Sequence, residues 1–133
     1  MSAPASEAQW VLDASAILAA LNDEPGGDRA AELAPFSIVS AVNVAEVVGK
    51  LLDHGVWMDE AVRVVVALGA PIVPFGETEA MTAALLRPAT LRFGLSLGDR
   101  ACIATAMVRG LPVITADRRW SELDLPTGVE LIR

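Results

Sequence analysis

With a single cysteine, Cys102, the chain has no internal disulfide and no thiolate metal cage. Histidine and lysine are just as scarce. The lone histidine, His54, stands before Gly55 at what reads as a helix C-terminus, where its charge suits the helix dipole. Serine–histidine–aspartate chemistry is therefore unsupported. The lone lysine, Lys50, follows no late strand, which removes the lysine a receiver-like phosphoacceptor domain expects. No glycine-rich phosphate loop of either common kind is present. The longest nearly uncharged apolar run, Val64–Phe75, contains two prolines and a glycine and falls short of the ~20 residues of a membrane span. Residues 1–9 have neither a basic end nor an apolar stretch, so they are expected to be a flexible tail and not a secretory leader. Cytoplasm is the default compartment.

Positive charge is also short: 10 Lys and Arg face 17 Asp and Glu, a formal net charge of −7. The whole deficit lies in residues 1–66, since residues 67–133 hold seven acids and seven bases. An acidic chain has little generic affinity for phosphate backbones, and any nucleic-acid function must answer that.

What the sequence does hold is a core. Hydrophobic residues make up 53% of 133, enough for one globular domain, expected over residues 10–133. Short apolar runs at Trp10–Asp13, Phe36–Val39, Pro71–Pro74, Pro112–Thr115 and Val129–Ile132 read as strands. Between them, helices are expected at Ala14–Leu21, Asp28–Ala34, Ala41–Asp53, Met58–Leu68, Glu77–Leu86 and Leu97–Arg109, with a loop over Arg87–Ser96. The two prolines of the third strand favour a sheet edge. Such alternation predicts an α/β fold, a central parallel sheet of four to five strands covered on both faces. In sheets of this kind ligands bind beyond the carboxyl ends of the strands, where the strand order reverses.

Four carboxylates fall at that edge. Asp13 ends the first strand. Ser40 ends the second, and Glu46 follows roughly 9 Å along the next helix. Asp99 opens the helix of Gly94–Gly110, whose stripe of Cys102, Ile103, Ala106 and Met107 places it against the sheet. Thr115-Ala-Asp117 ends the fourth strand. Each acid also has an ordinary reading. Asp13 can cap the first helix, with Ser15 adding a local hydrogen bond. Glu46 can pair with Lys50 at i+4. Asp99 can complete a capping box with Ser96, and Asp117 can form a turn. Caps, however, need not share one edge. Grouped acids repel one another and call for a cation, and an oxygen-only donor set suits Mg²⁺ or Mn²⁺. Such an ion answers the charge objection: without the four acids the net charge falls from −7 to −3. Arg87, Arg92, Arg100, Arg118 and Arg119 flank the last two acids as weak candidates for contact with a nucleic-acid backbone. Trp57 and Trp120 fit a core, a dimer contact or a partner groove equally well.

Four segments carry a family resemblance: Val11-Leu-Asp13-Ala-Ser15, Ser40-Ala-Val-Asn-Val-Ala-Glu46-Val, Gly94-Leu-Ser-Leu-Gly-Asp99-Arg-Ala-Cys and Thr115-Ala-Asp117-Arg. In these the chain resembles the PIN-domain family, in particular the VapC-type toxins of bacterial toxin–antitoxin pairs. The resemblance implies a three-layer α/β/α fold and Mg²⁺- or Mn²⁺-dependent endoribonuclease activity leaving 5′-phosphate and 3′-hydroxyl ends. Asp13, Glu46, Asp99 and Asp117 match the family's four acidic positions. Asp13, Asp99 and Asp117 are expected to bind metal, Glu46 to orient a water, and Ser15 and Thr115 to support them. A homodimer and a small antitoxin that blocks the site are implied as well. The alternative is the same fold used to bind RNA or protein without turnover.

Overall fold

The computed structural model describes residues 3–133. Five strands, β1 (Trp10–Leu12), β2 (Ser37–Ser40), β3 (Ile72–Val73), β4 (Val113–Thr115) and β5 (Val129–Leu131), alternate with seven helices. These are α1 (Ala14–Leu21), α2 (Gly27–Leu33), α3 (Ala41–Asp53), α4 (Met58–Ala67), α5 (Glu77–Leu85), α6 (Arg87–Thr90) and α7 (Leu97–Arg109). The strands form one parallel sheet in the order β3-β2-β1-β4-β5. As the prolines around it predict, β3 lies at an edge.

Side chains alternate across a strand, and that alternation builds the layers. Val11, Ile38 and Val113 face one core with Ala83 of α5, Cys102, Ile103 and Ala106 of α7, and Trp120. Their neighbours Leu12, Val39 and Ile114 face the other, with Ile17, Ala30, Val47, Leu51, Ala61 and Val65 of α1–α4. All six strand residues are at most 2% exposed, as a sheet covered on both faces requires. The fold is thus three-layer α/β/α. Its strand order reverses between β1 and β4, beyond whose carboxyl ends a ligand crevice is expected.

Three local features depart from the sequence reading. The expected loop over Arg87–Ser96 contains α6 and a 3₁₀ turn at Leu91–Phe93. Pro88 lies in the first turn of α6, where a missing N–H costs nothing and its fixed φ favours helix. Gly94, at φ +69°, ends the 3₁₀ turn. Phe36, expected in the second strand, belongs instead to a 3₁₀ turn begun at Ala34 with Pro35 in it. Of the expected tail 1–9, Met1 and Ser2 lie outside the described residues, while Ala5–Glu7 forms a 3₁₀ turn. Ala3 N–H donates to Pro35 O and Gln9 N–H to Phe36 O, at 2.9 and 2.8 Å. The tryptophans separate: Trp120 is fully buried, whereas Trp57 is 84% exposed at the start of α4. Among the described residues no helix is long and apolar enough to cross a membrane.

Candidate functional site

Asp13 leaves β1 with its backbone N–H still bonded to Ile114 O of β4, at 3.1 Å, so its side chain starts at the reversal point of the sheet. It caps α1, accepting from the Ala16 N–H at 2.8 Å. It also does more than a cap needs. Ser15 Oγ donates to its carboxylate at 2.8 and 2.9 Å, and Thr115 Oγ1 at 2.7 Å. Those hydroxyls are themselves fixed, since Ala116 N–H donates to Ser15 Oγ and Asp117 N–H to Thr115 Oγ1, both at 3.0 Å. The expected supporting residues, Ser15 and Thr115, therefore join the ends of β1 and β4 through one carboxylate. Asp13 is only 2% exposed, and burial pushes its carboxyl up to about 6 against the opposing pull of these hydrogen bonds.

Above this floor lies a cleft of about 860 Å³ whose walls include Ser15, Glu46, Asp99 and Asp117. Three of the four acids thus line one cavity, and Asp13 lies under its floor beside Ser15. Asp99 makes the capping box with Ser96: its carboxylate accepts from the Ser96 N–H at 2.9 Å, and its own N–H donates to Ser96 Oγ at 3.1 Å. Asp99 also raises the Asp13 carboxyl. The capping reading therefore holds, and the same residue lines the cleft.

Glu46 makes no ion pair with Lys50 among the described residues. Its Oε1 accepts instead from Asn43 Nδ2, at 2.8 Å, one turn earlier on α3. Asn43 is 1% exposed, and the same Nδ2 donates to Gly98 O at the start of α7, at 3.0 Å. Gly98 leaves the space the carboxylate occupies: a Cβ there would collide with the Glu46 carboxyl atoms. Asn43 Oδ1 is buried and meets no hydrogen-bond donor among the described residues.

Asp117 is held differently. Its carboxylate accepts the Arg119 backbone N–H at 3.0 Å, Arg119 Nε at 3.0 and 3.1 Å, and Nη2 at 2.5 Å. Arg119 Nη1 donates onward to Phe93 O at 2.7 Å. The guanidinium keeps the Asp117 carboxyl below the ordinary aspartate range. Among the described residues no three acidic, histidine or cysteine side chains stand close enough to make a ready-formed metal cage. The negative field nevertheless converges: buried Cys102 has its thiol pushed up first by burial, then by Asp13, Asp99 and Glu46 together.

The profile of the PIN domain matches residues 10–125. The chain belongs to the PIN domain family. Its fold is similar to that of a chain in DNA-bound VapBC from Salmonella typhimurium (TM-score 0.73, 16% identity, covering 95% of this chain and 99% of that one). It is also similar to a chain of a toxin–antitoxin complex from Klebsiella pneumoniae (TM-score 0.72, 19% identity, 94% and 98% covered). A VapBC-5 chain from Mycobacterium tuberculosis, of the VapBC family of toxin–antitoxin systems, gives TM-score 0.61 at 26% identity, with 95% and 98% covered. No curated protein sequence matches the chain.

Of the five arginines singled out in this PIN domain, only Arg119 lines the cleft, where Lys50, Arg133 and the imidazole of His54 also stand. Arg100 turns inward to Ala83 O at 3.0 Å, Arg92 stacks on Phe93, and Arg118 donates to Arg133 O; Arg87 is exposed. The cleft follows α3 from Glu46 to His54, so His54 borders it although it caps the far end of the helix. Asn43 and Gly98 escaped the sequence reading, yet both left a signal there. Asn43 interrupts the apolar Val42-Asn-Val44 one turn before Glu46, and Gly98 places a poor helix former in the first turn of α7.

Proposed function

We propose that this PIN domain is a divalent-cation-dependent endoribonuclease, the toxin of a toxin–antitoxin pair, acting in the cytoplasm. The observation that carries the reading is that Glu46, Asp99 and Asp117, far apart in the chain, line one cleft above the buried Asp13. Family membership and the fold shared with VapBC proteins support it.

The residues fit Mg²⁺ or Mn²⁺ chemically. The donors are oxygens alone, the set that hard divalent cations prefer. Mg²⁺ keeps several waters and takes only one or two carboxylates, so it does not require a cage of three side chains. Asp13 and Asp99 would hold the ion, joined by Asp117 once Arg119 lets go. When bound, the ion supplies positive charge to the phosphate oxygens and acidifies a water. The chain's own groups set the geometry. Ser15 and Thr115 keep Asp13 in one orientation. Glu46, held against Gly98, accepts a hydrogen bond from the attacking water and aims it. Arg119, Lys50 and Arg133 offer positive charge to the RNA backbone from the cleft walls. The partners in this reading are an antitoxin protein and a second copy of the chain, for which exposed Trp57, Met58, Val62 and Val66 provide an apolar face.

The test is cleavage of RNA by antitoxin-free protein with Mn²⁺, comparing wild type with Asp99→Asn. Wild type is expected to leave 5′-phosphate ends, and Asp99→Asn to lose activity by about a hundredfold or more, equivalent to roughly 3 kcal/mol of barrier. Wild-type protein that cuts no RNA with Mn²⁺ would overturn the reading. A binding module without turnover is favoured by one observation, the cation Arg119 already seated on Asp117. Toxicity unchanged by Asp99→Asn would select it.

A further inference from the structure

The buried amide of Asn43 lies between two walls of the cleft. We propose that Asn43 is a positioning residue: it fixes the Glu46 carboxylate against Gly98 and ties α3 to the mouth of α7, so that Glu46 and Asp99 keep one mutual geometry. The inference rests on the nuclease reading for its catalytic consequence and on geometry alone for its structural one.

Three observations meet at this amide. Nδ2 spends both of its hydrogens there, one on Glu46 Oε1 at 2.8 Å and one on Gly98 O at 3.0 Å. Gly98 immediately precedes Asp99, so the second bond fixes the backbone that carries the next acid. Meanwhile Asn43 Oδ1, equally buried, meets no donor among the described residues. An apolar side chain of the same shape, leucine, would fill the site without that orphaned acceptor. The sequence nonetheless places an amide there, in an apolar stretch of α3 whose neighbours Val47 and Val48 belong to the core. An amide that leaves one of its own atoms unpaired among the described residues, while one hydrogen goes to the cleft carboxylate of Glu46 and the other to the carbonyl just before Asp99, suits orientation better than stability. Gly98 O is also in the first turn of α7, where it serves a helix hydrogen bond, so the amide adds a second contact and is not needed to satisfy that carbonyl.

Glu46 has no other hydrogen-bond partner among the described residues. Without the amide its carboxylate is free to leave Gly98 and swing along the cleft toward Lys50. Water would then be aimed poorly, and transition-state stabilisation would fall with little change in RNA binding.

The experiment compares Asn43→Leu and Asn43→Asp with wild type in three ways. In crystals of metal-free protein, wild type is expected to keep Glu46 on Gly98, and Asn43→Leu to show it displaced or spread over several rotamers. In thermal unfolding, Asn43→Leu is expected to match or exceed wild type. In cleavage assays its kcat is expected to fall about tenfold or more, with KM within about twofold and with Mn²⁺ affinity by calorimetry reduced. Asn43→Asp, which sets a carboxylate against Glu46, is expected to lose more at neutral pH and to recover part of the loss as acid restores a donor hydrogen. Glu46 found unmoved in Asn43→Leu would overturn the proposal, as would a lower melting temperature with kcat and Mn²⁺ affinity unchanged. The crystallographic arm reads out even if wild type cuts no RNA, which separates this inference from the failure of the nuclease reading.

Discussion

Asp13 and Asp117 end adjacent strands of one sheet and are secured by opposite means. Asp13 is buried beneath the cleft and held by two hydroxyls and a backbone amide, all neutral donors that are themselves pinned by the backbone. Asp117 lies on the wall, its side chain 21% exposed, and its main partner is the charged end of one arginine that is itself 48% exposed. Neutral donors fix direction but leave the cost of burying a charge largely standing, so the Asp13 carboxyl is raised. A cation neutralises Asp117, so its carboxyl is lowered. The floor of the site is rigid and electrostatically uncomfortable. Its wall is electrostatically satisfied and reachable from solvent, so a competing cation meets a different obstacle at each.

The sharpest way to break the contrast is Asp13→Asn. Loss of the buried carboxylate is expected to reduce RNA cleavage by about a hundredfold or more, the scale of several kcal/mol of lost charge stabilisation. Stability is expected to move the other way. Because burial raises the Asp13 carboxyl from 3.8 to about 6, its favourable contribution is complete below about pH 4 and is lost as pH rises through about 6. Above that range the ionised group costs the metal-free fold about 3 kcal/mol. Urea unfolding from pH 4 to 8 should show Asp13→Asn equal to wild type at the acid end and more stable by that order at pH 8. A difference independent of pH would show that the hydroxyls fully compensate the charge.

A smaller effect is expected from Gly98→Ala, which tests the contact that seats Glu46. The added Cβ collides with the Glu46 carboxyl, the movable end of a long side chain, while alanine gains about 1 kcal/mol of helix propensity over glycine. Urea unfolding should stay within about 1 kcal/mol of wild type. Cleavage should fall about tenfold, the size of a misaimed water. Equal losses of stability and activity would mean that the close contact supports packing and not the aim of Glu46.

The same contrast explains what could be read from the sequence. Strands and the acids that end them were legible because alternation and chain order put Asp13 and Asp117 at one edge whatever the side chains do. Asp99 was legible as a cap and as a site residue, and it is the first while lining the cleft of the second. The partners were not legible. Glu46 had an obvious i+4 mate in Lys50, but its hydrogen-bond partner is Asn43 at i−3, because the carboxylate is drawn toward the small Gly98 on another helix. That choice depends on the packing of α3 against α7, which no local pattern encodes. Arg87, Arg92 and Arg100 were near the acids in the chain yet do not line the cleft, while Arg133, at the far end of the chain, does. The short helix α6 inside the expected loop was not legible for a different reason, since a proline such as Pro88 marks a helix start as well as a break.

Arg119 offers the finest test of the contrast, because it asks whether the wall is displaceable. If the guanidinium and a divalent cation compete for Asp117, removing the first should strengthen the second. Arg119→Gln is expected to raise Mn²⁺ affinity about three- to tenfold by calorimetry, with stability changed by less than about 1 kcal/mol, since an exposed pair contributes little to folding. Arg119→Lys should fall between them: it keeps the charge but loses the two-pronged grip and the bond to Phe93 O. Raised salt should shrink the difference between wild type and Arg119→Gln, because the pair it weakens is at the surface. Weaker Mn²⁺ binding in Arg119→Gln would mean that the arginine holds Asp117 in place for the ion and does not stand in its way. The wall would then be as fixed as the floor.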